Sequence, residues 1–319
     1  VAHVQIMQGR LDDGVSWLTD LSGNWSAANH IVHHLWWHLA LFHAERGDVA
    51  AALDYYDNRL RDLDSPLMQA MSDFYVDIQN DAALWQRLEL CGVDIGDRWN
   101  PVADLAAARI GNHRSPFTSA HCALALAAAG RFDEANELTA RIRDFVGEDD
   151  GPLGARYAMA VLPASEAAIA HRKQDYRQVI DILLPARRNL WQMGGSHAQR
   201  DLFYQLLIDS AAKSGDRDLL ILLLDEIKAI GFEHMTERSS YADAIAMTHW
   251  NRTCATIIAV TLLTAFVFCQ SAWGITPAEE KIMSREFRVA VMKQVRLVTD
   301  WQINDYVSRV GKRILAVLP

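Results

Sequence analysis

Apolar residues recur every three to four positions through most of the first 245 residues, and no segment alternates apolar and polar residues as a strand would. The fold class this predicts is all-α. The clearest unit is Ile31–Arg46 followed by Val49–Leu63, two apolar-periodic segments joined at Gly47-Asp48. Gly47 suits the left-handed position after a helix, and Asp48 suits the N-cap of the next. The pair therefore reads as an antiparallel helical hairpin. Its residues follow the tetratricopeptide phrase: Trp36, Leu39 and Ala40 on the first helix, Gly47 at the turn, Ala52 and Tyr56 on the second. The same phrase returns around Gly130, Gln174 and Gly215, with room for a degenerate hairpin around Leu67–Leu90. The turns are unevenly spaced, so the expected architecture is a helical-hairpin solenoid with irregular insertions over residues 1–245, folding independently of the rest. Val1–Met7 opens helical without an initiator methionine or an N-cap, which predicts further chain upstream.

The periodicity stops at Thr253. From there to Ala278 no residue is charged, and Cys254–Cys269 is apolar apart from three threonines. Arg252 before the run, with Ala272 and Gly274 after it, has the order of a secretory signal. Thr253–Trp273 is also just long enough, at about 31 Å, to span a hydrocarbon core as a helix. A third reading is a buried core helix. The expectation is that residues 253–274 form an apolar helix that engages a membrane, either as a cleaved signal or as an anchor. Beyond it, Thr276-Pro277-Ala278-Glu279 is a strong helix start, and residues 275–319 read as a short helical segment.

Charge divides along the same line. The chain carries −9, while residues 275–319 hold eight Lys/Arg against five Asp/Glu. With Arg252 counted, the first 251 residues carry −13. An acidic surface of that size argues against nucleic acid as a partner. Cys91, Cys122, Cys254 and Cys269 form no CxxC and no metal-type spacing, so reduced thiols are expected.

Several phrases in order, HLWWHLALFHAERGDVAAALDYYD, CGVDIGDRW and LLPARRNLWQMGGSHAQRDLFYQLLIDSA among them, resemble the tetratricopeptide repeat protein 38 family over Val1 to about Arg238. The resemblance implies a tetratricopeptide-like superhelix and no enzymatic activity. Among the residues shared with the family pattern are His3, His34, His38, His121, Arg200 and Asp201. Of these, His34, His38, His121, Arg200 and Asp201 are the candidate ligand-binding residues. His34 and His38 stand one helical turn apart, and His30 extends the row. A zinc site needs a third ligand, and His3 or His121 are the candidates to supply it. Packing beside Trp36 and Trp37 is the plainer role for these histidines, so no metal and no cofactor are expected. Gly194-Gly195-Ser196 lacks the Lys-Ser/Thr of a phosphate loop. Ser196 with Gln199 reads instead as a capping box, after a helix Val179–Met193 closed by Gly194.

The last segment, ITPAEEKIMSREFRVAVMKQVRLVTDWQINDYVSRVGKRILAVLP, resembles the start of secreted bacterial zinc metallopeptidases that work in the periplasm. That family's HExxH motif is absent from this sequence. The expected function is therefore a non-catalytic interaction or scaffold module that binds proteins or peptides in a concave face. The alternative is the N-terminal part of a secreted zinc metallopeptidase joined to a repeat domain. The repeat domain is expected in the cytoplasm, with residues 275–319 in the periplasm if the apolar stretch anchors the chain.

Overall fold

The computed structural model describes residues 1–62, 64–71, 75–229 and 238–248, all within one compact unit, Val1–Thr253. Residues 249–319 lie outside the described residues, and with them the expected apolar helix at 253–274, the segment 275–319, Cys254 and Cys269. Among the described residues every regular element is helical. None of these helices is long and apolar enough to cross a membrane.

Two short helices come first, α1 (Ala2–Met7) and α2 (Leu11–Ser22). The expected hairpin follows as α3 (Ile31–Glu45) and α4 (Val49–Tyr55), the latter running on through a π turn at Tyr56–Leu60. Gly47 has φ +79°, and its N–H reaches the Ala44 carbonyl while the Asp48 N–H reaches that of His43. That pair of bonds is the Schellman closure of a helix end. Asp48 then accepts from the Ala51 N–H as the next N-cap. The degenerate region resolves into α5 (Pro66–Ala70), α6 (Tyr75–Leu90) and α7 (Trp99–Ala107). Then come α8 (Pro116–Ala128) with α9 (Phe132–Glu148), and α10 (Pro152–Arg156), whose π turn at Tyr157–Val161 leads into α11 (Leu162–Arg172). α11 pairs with α12 (Tyr176–Ala186), and α13 (His197–Lys213) with α14 (Arg217–Ala229).

One boundary differs from expectation. The helix read as Val179–Met193 ends at Ala186, and Leu190–Met193 forms a separate 3₁₀ turn. Pro185 lies in the last turn of α12 and has no N–H to return to the preceding turn, so the helix is already weakened there. The capping box at Ser196 is present in both directions, with Gln199 Oε1 at 2.8 Å from the Ser196 nitrogen.

The core is one continuous cluster of buried side chains. Trp37, Phe42, Trp85, Tyr157 and Phe203 are almost fully buried, and each such side chain contributes roughly 1.5–3 kcal/mol by leaving water. Close approach is set by small residues. A Cβ on Gly14 would stand 2.2 Å from the Phe42 ring, so α2 can lie on α3 only with glycine there. α3 packs against α6, α6 against α8, α8 against α11 and α11 against α13. In addition α13 packs back on α6 and α1, and Ser239–Tyr241 packs on α3 and α6.

Candidate functional site

His30 precedes α3 as its N-cap residue, His33, His34 and His38 lie on that helix, and three of the four meet polar partners across the chain. His30 Nε2 lies 3.2 Å from Asp77 Oδ2, and His33 Nδ1 lies 3.3 Å from the Arg59 carbonyl. His34 Nδ1 lies 2.8 Å from Asn80 Oδ1. A carbonyl oxygen only accepts, so His34 donates from Nδ1 and its Nε2 keeps a free lone pair. Trp37 stacks on the same ring, with centroids 5.1 Å apart and planes 11° from parallel. The orientation of His34 is thus fixed from two sides.

α1 brings His3 to this pair. The His3 and His38 ring centroids are 4.6 Å apart, as are those of His34 and His38, and His3 lies 6.1 Å from His34. One ligand nitrogen of each lies within 4.8 Å of the other two. His3 Nε2 and His38 Nδ1 are buried and make no hydrogen bond. Burial, then the neighbouring His34, lowers His3 to about 4. Burial also lowers His34 against the pull of Asn80, and carries His38 well below the ordinary histidine value. All three imidazoles are therefore neutral near pH 7, with lone pairs available.

His121 is elsewhere. It is fully buried on α8, its Nδ1 2.8 Å from the Phe117 carbonyl one turn back, and its ring packs edge-on against Phe203. Of the two third-ligand candidates in the sequence, the structure places His3 beside the pair and leaves His121 among core side chains.

Arg200 and Asp201 begin α13 and have separate surroundings. Arg200 donates to the Gly194 carbonyl at 3.1 Å and to that of Gly195, holding the turn before the helix. The Asp201 carboxylate is buried and accepts from Arg238 Nη1 at 2.7 Å, Tyr241 Oη at 2.8 Å and Gln205 Nε2 at 2.7 Å. Arg238 also bonds Glu45 on α3, and Arg87 on α6 donates to the Ala198 carbonyl at 2.8 Å. This is a buried ionic clasp joining α3, α6, α13 and the segment after α14. Asp201's hydrogen-bonding capacity belongs to it.

No family model and no solved structure matches the chain.

Both Arg200 and Asp201 border a groove of about 450 Å³ between α1, the turn after α12, α13 and α14. Its apolar side is Met7, Leu190, Trp191 and Ile227. Trp191 is 65% exposed, the most exposed tryptophan among the described residues. On the polar side Glu226 accepts from Arg187 at 2.7 and 3.0 Å and from the Tyr204 hydroxyl at 2.6 Å. The Arg187 pairing holds Glu226 down at about 2, so this carboxylate is ionised. Arg188 reaches the same carboxylate only at 3.9 Å, and its side chain is 80% exposed. Arg200 bonds to carbonyls that carry no formal charge. The groove therefore presents two cations, Arg188 and Arg200, beside an exposed indole. A second cavity, of about 540 Å³, opens beside α8 and is lined by none of the candidate residues.

Sequence reasoning missed Asn80, Trp191, Arg188, Glu45, Arg87 and Arg238. Asn80 and Asp81 on an otherwise buried α6 were a readable signal, because polar residues on an inward face need partners. Nothing local marked Arg238 or Trp191.

Proposed function

We propose that this chain is a non-catalytic, tetratricopeptide-like interaction module that binds an acidic peptide segment of a partner protein. The segment lies in the groove along α13, an acidic side chain meeting Arg188 and Arg200 and an apolar side chain packing on Trp191. The observation that carries the reading is the exposure of Trp191 next to Arg188, 80% exposed and only 3.9 Å from a carboxylate that Arg187 already pairs, and Arg200, which bonds uncharged carbonyls. Tryptophan and arginine are the residues in which interface energy concentrates. The proposal moves binding from the concave face expected from the sequence to the groove along α13. The paired helices, each closed by the same turn chemistry, are consistent with a scaffold of repeats, and a cytoplasmic location for this part of the chain belongs to the same proposal. The alternative of a peptidase fragment rests on residues 252–319, outside the described residues, and no described feature favours it.

The test is a peptide-display selection against the full chain, followed by anisotropy measurements with labelled hits. Selected peptides are expected to pair Asp or Glu with an aromatic or aliphatic residue. Trp191→Ala and Arg188→Glu should each weaken binding at least about tenfold, or roughly 1.4 kcal/mol, while Trp17→Ala on α2 leaves it unchanged. A wild-type chain that selects no peptide, or hits that bind both groove variants as well as the wild type, would overturn the proposal.

A further inference from the structure

We infer that His3, His34 and His38 form a binding site for one borderline divalent transition-metal ion, Zn²⁺ foremost. The site is independent of the peptide groove. Three observations carry it. The first is convergence: one nitrogen from each of three rings on two helices lies within 4.8 Å of the others. Around an ion at 2.0–2.1 Å, tetrahedral nitrogens stand about 3.4 Å apart, a contraction that small side-chain rotations supply.

The second is orphaned donors. His3 Nε2 and His38 Nδ1 are both buried without a hydrogen bond. Leaving one buried polar atom unpaired costs about 1–3 kcal/mol, and two such nitrogens on rings whose centroids are 4.6 Å apart, from separate helices, are what a shared ion would satisfy at once. The third is orientation. Asn80 takes the Nδ1 proton of His34 and Trp37 holds the ring plane, which fixes Nε2 as the free ligand atom. Metal-binding histidines are commonly set this way through their second nitrogen.

The donor set selects the metal. Three imidazole ligands suit zinc, copper, nickel and iron and disfavour calcium and magnesium, which require oxygen ligands. Three protein ligands leave a fourth position, which water fills in a tetrahedral ion.

The experiment uses the tag-free full chain, stripped with a chelator and titrated with Zn²⁺ alone, with Co²⁺ as the optical probe. The expected result is one equivalent of Zn²⁺ bound, and tetrahedral Co²⁺ bands that Zn²⁺ displaces. His3→Ala, His34→Ala and His38→Ala should each lower affinity at least about tenfold. Asn80→Ala should lower it within the roughly ten- to hundredfold range of an orienting partner. His121→Ala should bind like the wild type. His38 is buried and its replacement can fail to fold; His3, on the half-exposed α1, then decides, with far-UV dichroism confirming the fold. A wild-type chain that binds no zinc, or a folded His3→Ala variant with wild-type affinity, would overturn the inference.

Discussion

Asp81 on α6 has none of its surface exposed, stands one helical turn from Asp77, and among the described residues has Arg61, at 3.7 Å, as its opposite charge. Burial, which disfavours the charged form, pushes its carboxyl up to about 7, with Asp77 adding to the rise and Arg61 opposing it. A folded value above the unfolded 3.8 means that Asp81 contributes its full stability below about pH 4. That contribution is lost as pH rises through about 7. Asp81→Asn removes the titration and keeps the shape. Relative to the wild type, the variant should therefore gain stability between pH 4 and pH 7, by at most roughly 4 kcal/mol. His121, lowered to about 4 by burial, has the opposite sign: its stability is present above 6.5 and lost as pH falls through its folded value. It is common to both proteins and cancels in the difference. Urea unfolding at the two pH values checks this, and a pH-independent difference would mean that Asp81 is ionised throughout.

Four hairpin turns share one construction. Gly47, Gly130, Gln174 and Gly215 all have positive φ, between 61° and 79°, and each makes the same pair of bonds back to the closing helix. These turns were legible because the chemistry is local: a residue free to be left-handed, followed by an N-cap. Asp48, Asp175 and Asp216 each accept from the backbone N–H three residues on. Gln174 is the exception, the one non-glycine residue with positive φ among those described. A side chain in that conformation is strained by about 1 kcal/mol or more, partly offset by the freedom glycine loses on folding. Gln174→Gly should therefore raise stability by roughly 0.5–1 kcal/mol, while Gly47→Ala should lower it. Thermal melting of the two variants checks both signs, and a Gln174→Gly variant that melts lower would show that the side chain contributes more than its strain. Helix starts were less legible. α8 begins at Pro116 behind the cap Ser115, and apolar spacing does not register a proline at the first helical position.

Across the whole described unit, the clasp at Arg238 joins residues 193 apart in sequence, Glu45 on α3 and the segment after α14. Arg238 is 1% exposed and bonds two carboxylates, Glu45 and Asp201, while Ser240 donates to the other Glu45 oxygen at 2.8 Å. Removing the cation leaves two buried carboxylates with Arg87, 4.0 Å from Glu45, as the remaining opposite charge among the described residues, and breaking such a buried pairing typically costs about 3–5 kcal/mol. Arg238→Ala should reduce the unfolding free energy by that amount in urea titrations. A loss below about 1 kcal/mol would show that water replaces the guanidinium. The clasp also explains why Asp201, singled out from sequence as a ligand-binding residue, has its oxygens occupied within the fold.

The sequence by itself determined the helical class, the four principal hairpins, their turns and the capping box at Ser196. Each depends on residues within about a turn of one another, so their physics is written where they stand. It also marked His34 and His38 as neighbours, because a four-residue spacing on a helix needs no tertiary information. Only the tertiary structure decided that His3 rather than His121 joins them, that Asp201 lies inside an ionic clasp, and that Trp191 is left in water beside two arginines. Those outcomes depend on how α1 and α13 pack against elements far away in the chain. Burial, pKa and partner choice follow from that packing, and spacing along the chain does not encode it.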